Sequence, residues 1–132
     1  MTEHYHAIVW IDHHEARIFH FDMQDFDREV VRPHDPHQHI HHKANSIGSG
    51  HAAEDQQFLH EVTLALREAG AVLITGPSSA KHELVKHIQR HDPLLAERLA
   101  GVEALDHPTD GALVNYARKF FRTADRMRSQ RS

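Results

Sequence analysis

Cysteine is absent from this chain. That excludes a disulfide scaffold, a thiolate zinc finger, an iron–sulfur cluster and a cysteine nucleophile. Long apolar runs are missing too: no stretch approaches the ~18 consecutive apolar residues that cross a bilayer. The opening Met1-Thr2-Glu3-His4 has neither a basic n-region nor an apolar h-region, so no secretory leader is expected. These absences predict a cytoplasmic protein with no membrane partner. With 132 residues, 39% apolar and 26% charged, the chain is long enough to bury a core as a single domain over 1–132.

Histidine is what the chain has in excess: 16, against 15 Lys+Arg and 19 Asp+Glu. The formal charge is −4 with every His neutral. An unperturbed His titrates near pH ~6.5, so the sign of the net charge turns on pH within the physiological range. Charge is also uneven along the chain. Residues 1–30 carry Glu3, Asp12, Glu15, Asp22, Asp25, Asp27 and Glu29 against Arg17 and Arg28. The end carries Arg118, Lys119, Arg122, Arg126, Arg128 and Arg131 against Asp125, with a basic tail at 126–132. This asymmetry predicts a C-terminal surface for an anionic partner.

Residues 5–12 are β-branched, aromatic and apolar on both alternating sets, as in a central strand covered on both faces. Residues 16–21 read as its hairpin partner after a His13-His14 turn, and 27–32 as a short edge strand ended by Pro33. Residues 33–50 show no periodicity and predict a long His-rich loop. Phe58, Val62, Leu66 and Ala69 then mark an amphipathic helix from His51, stopped by Gly70. Residues 71–75 suit a buried parallel strand, and Gly76-Pro77-Ser78-Ser79 a turn into a helix holding Leu84, Val85 and Ile88. Asp92 and Pro93 begin a short helix, 102–105 is a last strand, and a last helix starts near Thr109 and Asp110. Its inner face is expected to carry Leu113, Ala117, Phe120, Ala124 and Met127. The order β-β-β-α-β-α-β-α predicts an α/β, ribonuclease-H-like domain: a mixed five-stranded sheet with helices on both faces.

Local residues carry a family resemblance. Val9-Trp10-Ile11-Asp12 followed by Glu15-Ala16-Arg17-Ile18 resembles the opening hairpin of the central domain of archaeo-eukaryotic peptide release factors and their Pelota relatives. Leu73-Ile74-Thr75-Gly76-Pro77 with Lys81 and Leu84 resembles that domain's strand-Gly-Pro-helix passage. The runs 45–52 and 106–113 resemble small bacterial members of the superfamily labelled translational machinery proteins. The resemblance implies a ribosome or tRNA partner. It does not imply release of peptide from tRNA. Ser49-Gly50-His51-Ala52 stands where release factors carry Gly-Gly-Gln, without the first glycine or the glutamine.

Three functional readings follow. The first is a non-catalytic, ribosome- or tRNA-associated RNA-binding protein. Its phosphate contacts would come from Lys43, Asn45, Ser49, Gly50, His51, Lys81, Arg118, Lys119 and Arg122. In this reading the free N–H groups of a helix start after Gly48-Ser49-Gly50 receive a phosphate. Gly76-Pro77-Ser78-Ser79 is a weaker case of the same kind, better read as a turn with Ser78 or Ser79 as cap. The second reading is a metal-binding or metal-sensing module. His37, His39 and His41 would face one side of an extended loop and share Zn²⁺ or another divalent transition metal. The third is a metal-dependent nuclease, which needs carboxylates such as Asp12, Glu54, Asp55, Asp106 and Asp110 to converge. No cofactor is required by the first reading.

Overall fold

The computed structural model describes residues 5–34 and 43–131, with side chains over 5–34 and 55–126. The chain forms β1 (His6–Ile11), β2 (Ala16–Phe21), β3 (Phe26–Val31), α1 (Lys43–Leu66), β4 (Ala71–Gly76), α2 (Ala80–His91), α3 (Pro93–Ala96), β5 (Leu99–Ala104) and α4 (Asp110–Arg131). The strands make one sheet in the order β3-β2-β1-β4-β5. β1 pairs antiparallel with β2 and parallel with β4; β3 continues antiparallel from β2, and β5 parallel from β4. This is the ribonuclease-H-like α/β arrangement expected from the element order.

Two short hairpins set the first three strands. The Asp12 carboxylate accepts from the backbone N–H of His14 and Glu15 at 2.8 and 2.9 Å. Asp22 does the same for Gln24 and Asp25 at 2.8 and 2.9 Å. An Asp side chain that satisfies the turn's own N–H groups fixes the turn, and the register of each hairpin follows.

Alternation along β1 divides the core. Ala7, Val9 and Ile11 face one side and pack with Phe58, Val62 and Leu66 of α1 and Leu84 and Ile88 of α2. Ile8 and Trp10 face the other and pack with Leu113, Val114, Ala117 and Phe121 of α4. Both faces of β1 are thus covered, which explains its unbroken apolar sequence. Where β4 ends, Gly76 passes so close to β1 that a Cβ there would overlap the Ile11 carbonyl oxygen.

The helix caps follow the sequence signals in two cases. Asp92 accepts from the Leu95 N–H at 3.3 Å with Pro93 in the first turn, and Thr109 Oγ1 accepts from the Ala112 N–H at 3.1 Å. Ser79 departs from them: it is the N-cap residue of α2, but its hydroxyl makes no cap bond.

Two boundaries and one buried position differ clearly from the sequence reading. The predicted loop over 33–50 is cut short, because α1 begins at Lys43 rather than His51. Asn45, Ser46, Gly48, Ser49 and Gly50 form helix poorly. An already nucleated helix extends by one hydrogen bond per residue, however, and the amphipathic part downstream supplies the nucleus. β5 begins at Leu99, since Leu99 and Gly101 pair with Val72 and Leu73 of β4 despite weak strand propensity. On α4, Phe121 rather than Phe120 enters the core. Phe120 lies instead beside Gly101, close enough that a Cβ on that glycine would sit 3.1 Å from its ring.

Candidate nucleic-acid interface

The C-terminal helix carries the basic residues singled out in the sequence, and its anchoring decides which of them face outward. At its start, Arg17 donates to Asp110 at 2.7 Å and to the Pro108 carbonyl at 3.1 Å. Arg28 adds a second ion pair to Asp110 at 2.9 Å. Trp10 Nε1 donates to the Asp106 carbonyl at 2.6 Å, and the Trp10 ring meets both the Arg17 guanidinium, 4.7 Å away, and the His107 ring, 4.9 Å away. Further along, the Tyr116 hydroxyl donates to Glu103 of β5. That bond, partial burial and the neighbouring negative charge push the phenol above its usual range.

Held this way, α4 presents Lys119, Arg122 and Arg126 to solvent. Spaced three and four residues apart, they form one stripe on the helix surface. Arg118 is half-buried instead. Its guanidinium donates to the carbonyls of Asp22 and Asp25, at 2.8 and 3.3 Å, and so clasps the turn between β2 and β3.

Beside this stripe lies a groove of about 470 Å³ between α4, the start of β1 and the end of β2. Its floor is aromatic. The His6 ring lies 4.5 Å from Phe121 and 5.9 Å from Phe21, and Tyr5 meets His6 edge-on at 5.0 Å. Tyr5 and Met23 are each 60% exposed, so an apolar surface stands open to a ligand. Arg118, Arg122 and Asp125 line the groove on its α4 side, and Asp22 lines it from the turn after β2. Gly70 makes room for the Tyr5 ring, which would overlap a Cβ at that position. An exposed ring such as Tyr5, next to cations, can stack a base and hold its phosphate.

Of the sequence-predicted residues, Lys119 and Arg122 are thus exposed together, and Arg118 joins the groove wall with its donors engaged. Lys81 is buried in the first turn of α2, its ammonium donating to the Ser78 carbonyl at 2.6 Å. A lysine drawn inward to close its own turn is not a free phosphate ligand there. Lys43, Asn45, Ser49, Gly50 and His51 lie on the first half of α1, their side chains outside the described region. Gly48, Ser49 and Gly50 therefore do not precede a helix, and the N–H groups proposed for a phosphate belong to helical backbone. His37, His39 and His41 lie outside the described residues.

The groove itself is not legible in the sequence. Tyr5, His6, Phe21, Met23 and Phe121 come from three distant segments. The one local signal is a methionine, Met23, in an otherwise polar hairpin turn.

Among the residues whose side chains are described, the carboxylates do not converge. Asp12 is spent on its turn and Asp110 on two arginines. Among the described residues no three His, Asp or Glu side chains stand together as metal ligands.

No protein-family model and no curated protein matches the chain. Solved structures do. Pelota from Archaeoglobus fulgidus superposes with a TM-score of 0.59 at 12% identity, over 83% of this chain and 29% of that one. The archaeal translation termination factor aRF1 gives 0.56 at 17%, over 82% and 32%. A further archaeal protein gives 0.59 at 15%, over 95% and 38%. The chain resembles the central domain of Pelota and aRF1 in fold. It spans about a third of the length of those chains. The likeness expected from the two strand motifs is therefore present across most of the domain. Identities this low establish the shared release-factor-like fold and nothing finer.

Proposed function

We propose that the protein is a non-catalytic RNA-binding component of the translation apparatus, contacting ribosomal or transfer RNA with the outer face of α4 and the adjoining groove. The observation that carries this reading is the groove: the exposed Tyr5 ring above a buried aromatic floor, with Arg122 shared between its wall and the exposed Lys119–Arg122–Arg126 stripe. The fold shared with a translation termination factor supports the setting. The engagement of Asp12 and Asp110 in structural bonds favours binding over metal-assisted hydrolysis.

Fluorescence anisotropy with labelled single-stranded RNA and with tRNA, across a salt series, tests the reading. Log affinity is expected to fall linearly with log salt. Lys119→Ala with Arg122→Ala should weaken binding and flatten the slope by about 0.7 for each single-strand phosphate left without its cation. Tyr5→Ala should weaken binding with the slope unchanged, because stacking releases no counterions. Unchanged affinity in all these variants would remove the surface from consideration.

A further inference from the structure

A second cavity, of about 350 Å³, lies between α1 and α2, on the opposite face of the sheet from α4. Its lining includes His87, only 7% exposed. His87 Nδ1 lies 3.0 Å from Gln56 Oε1, whereas Nε2 is buried with no hydrogen-bond partner. An amide oxygen can only accept, so Nδ1 carries the proton and Nε2 holds a bare lone pair. A ring nitrogen whose partner nitrogen donates to a carbonyl has the tautomer and orientation found in metal-ligating histidines. Burial first, then positive charge available from His91, His60 and Arg90, lowers the pKa of this imidazole.

Two further imidazoles adjoin it. His91 lies one turn along α2, its ring centroid 4.4 Å from that of His87. His60 of α1 approaches edge-on at 6.2 Å. Two imidazoles sharing a zinc ion through bonds of about 2.0–2.1 Å have centroids roughly 5 Å apart. The His87–His91 pair is near that spacing and His60 is about an ångström beyond it. The three rings do not enclose an ion as they stand; His60 is exposed, so it is free of core packing to turn toward the pair. Charges of both signs surround the pair, Asp55 and Glu83 against Lys86 and Arg90.

We propose that His87 and His91 form a binding site for one borderline divalent cation of the Zn²⁺, Ni²⁺ or Cu²⁺ class, with His60 drawn in as third ligand and water completing the shell. A site of neutral imidazoles selects these ions over Mg²⁺ and Ca²⁺. It uses none of His37, His39 and His41, and it lies across the sheet from the groove beside α4. An ion there would pin α1 to α2.

The test is a competitive Zn²⁺ titration of the full chain against a chromophoric chelator at pH 7.5. The background carries His37→Gln, His39→Gln and His41→Gln, so that those imidazoles do not dominate. One equivalent is expected to bind, with affinity reduced at least tenfold by His87→Gln and by His91→Gln, and less by His60→Gln. His91 is exposed, so its replacement leaves the core packed and keeps the test decisive if the His87 variant folds poorly. Absence of binding in the background, or equal affinity in the background and in His91→Gln, overturns the site. An unchanged affinity in His60→Gln overturns the part given to α1. Failure of RNA binding bears only on the groove.

Discussion

Arg118 and Lys119 are neighbours with the same formal charge and different work. Arg118 spends two N–H groups on the carbonyls of Asp22 and Asp25, while Lys119 is exposed. Arg118→Ala should therefore cost about 1 kcal/mol of stability, less than the ~1.5–3 kcal/mol usual for bonds from a charged donor because both bonds are exposed to solvent. Lys119→Ala should stay within about 0.5 kcal/mol and lose RNA affinity alone. Urea denaturation of the two variants checks this. Arg118→Lys should not restore the lost stability, since one ammonium cannot reproduce the fork reaching both carbonyls. Equal stability of Arg118→Ala and the parent would show that the clasp contributes nothing. The same contrast marks the limit of reading charge from sequence. Counting basic residues locates the helix that carries them. It does not show that Arg118 and Lys81 turn their donors onto nearby carbonyls, because that depends on where the chain's own acceptors fall in space. Asp92 and Thr109 are legible for the opposite reason: each bonds an N–H three residues away, and such partners are fixed by local sequence.

At the scale of elements, the meeting of β4 and β1 is the least tolerant point of the sheet. A methyl at Gly76 would overlap the Ile11 carbonyl oxygen, so one of the two central strands must move. Gly76→Ala should cost about 1–3 kcal/mol, the range for overpacking a close-packed interior, and lower Tm by several degrees. Gly111, in the first turn of α4, meets nothing within 4 Å. Gly111→Ala should instead stabilise by about 0.5–1 kcal/mol, through helix propensity. Thermal unfolding of the pair followed by circular dichroism decides it, and equal Tm values would contradict the packing argument. Strong periodicity makes most of these elements readable: β2 lies where its pattern predicts to the residue, and β1 and β4 to within one. The element errors arise where packing overrides propensity. β5 gains Leu99 to Gly101 from its ladder with β4, and α1 runs back through residues that seldom begin a helix. On α4 the buried stripe is Leu113, Val114, Ala117 and Phe121. A four-residue count cannot tell Phe120 from Phe121 when Gly101 leaves space for the first. The groove is out of reach for the same reason, since residues 5, 21 and 121 meet only once the sheet is assembled.

For the whole molecule, pH is expected to act on the proposed RNA binding and on stability in opposite directions. Sixteen histidines accompany a charge of −4 when all are neutral. Acidification from pH 7.5 towards 6 adds positive charge to the chain, and attraction to an RNA backbone should rise with a steeper salt slope. His87 opposes this. Its folded pKa is lowered from the ordinary 6.5, first by burial, then by His91, His60 and Arg90, with Asp55, Glu83 and Lys86 also lining its cavity. The unfolded chain thus takes up a proton at His87 before the folded one does, and stability rises with pH through that interval. The contribution is complete above about pH 6.5 and is lost as the pH falls from there through the lower folded value. Urea midpoints at pH 7.5 and 5.5 should therefore show a loss on acidification that is smaller in His87→Gln, whose side chain cannot take up a proton. RNA affinity measured on the same samples should rise in both proteins. His37→Gln, His39→Gln and His41→Gln together should flatten the rise in affinity and leave the stability difference in place. A stability loss of equal size in parent and His87→Gln would show that other groups carry the acid sensitivity. An affinity indifferent to pH would show that histidine charge plays no part in holding RNA.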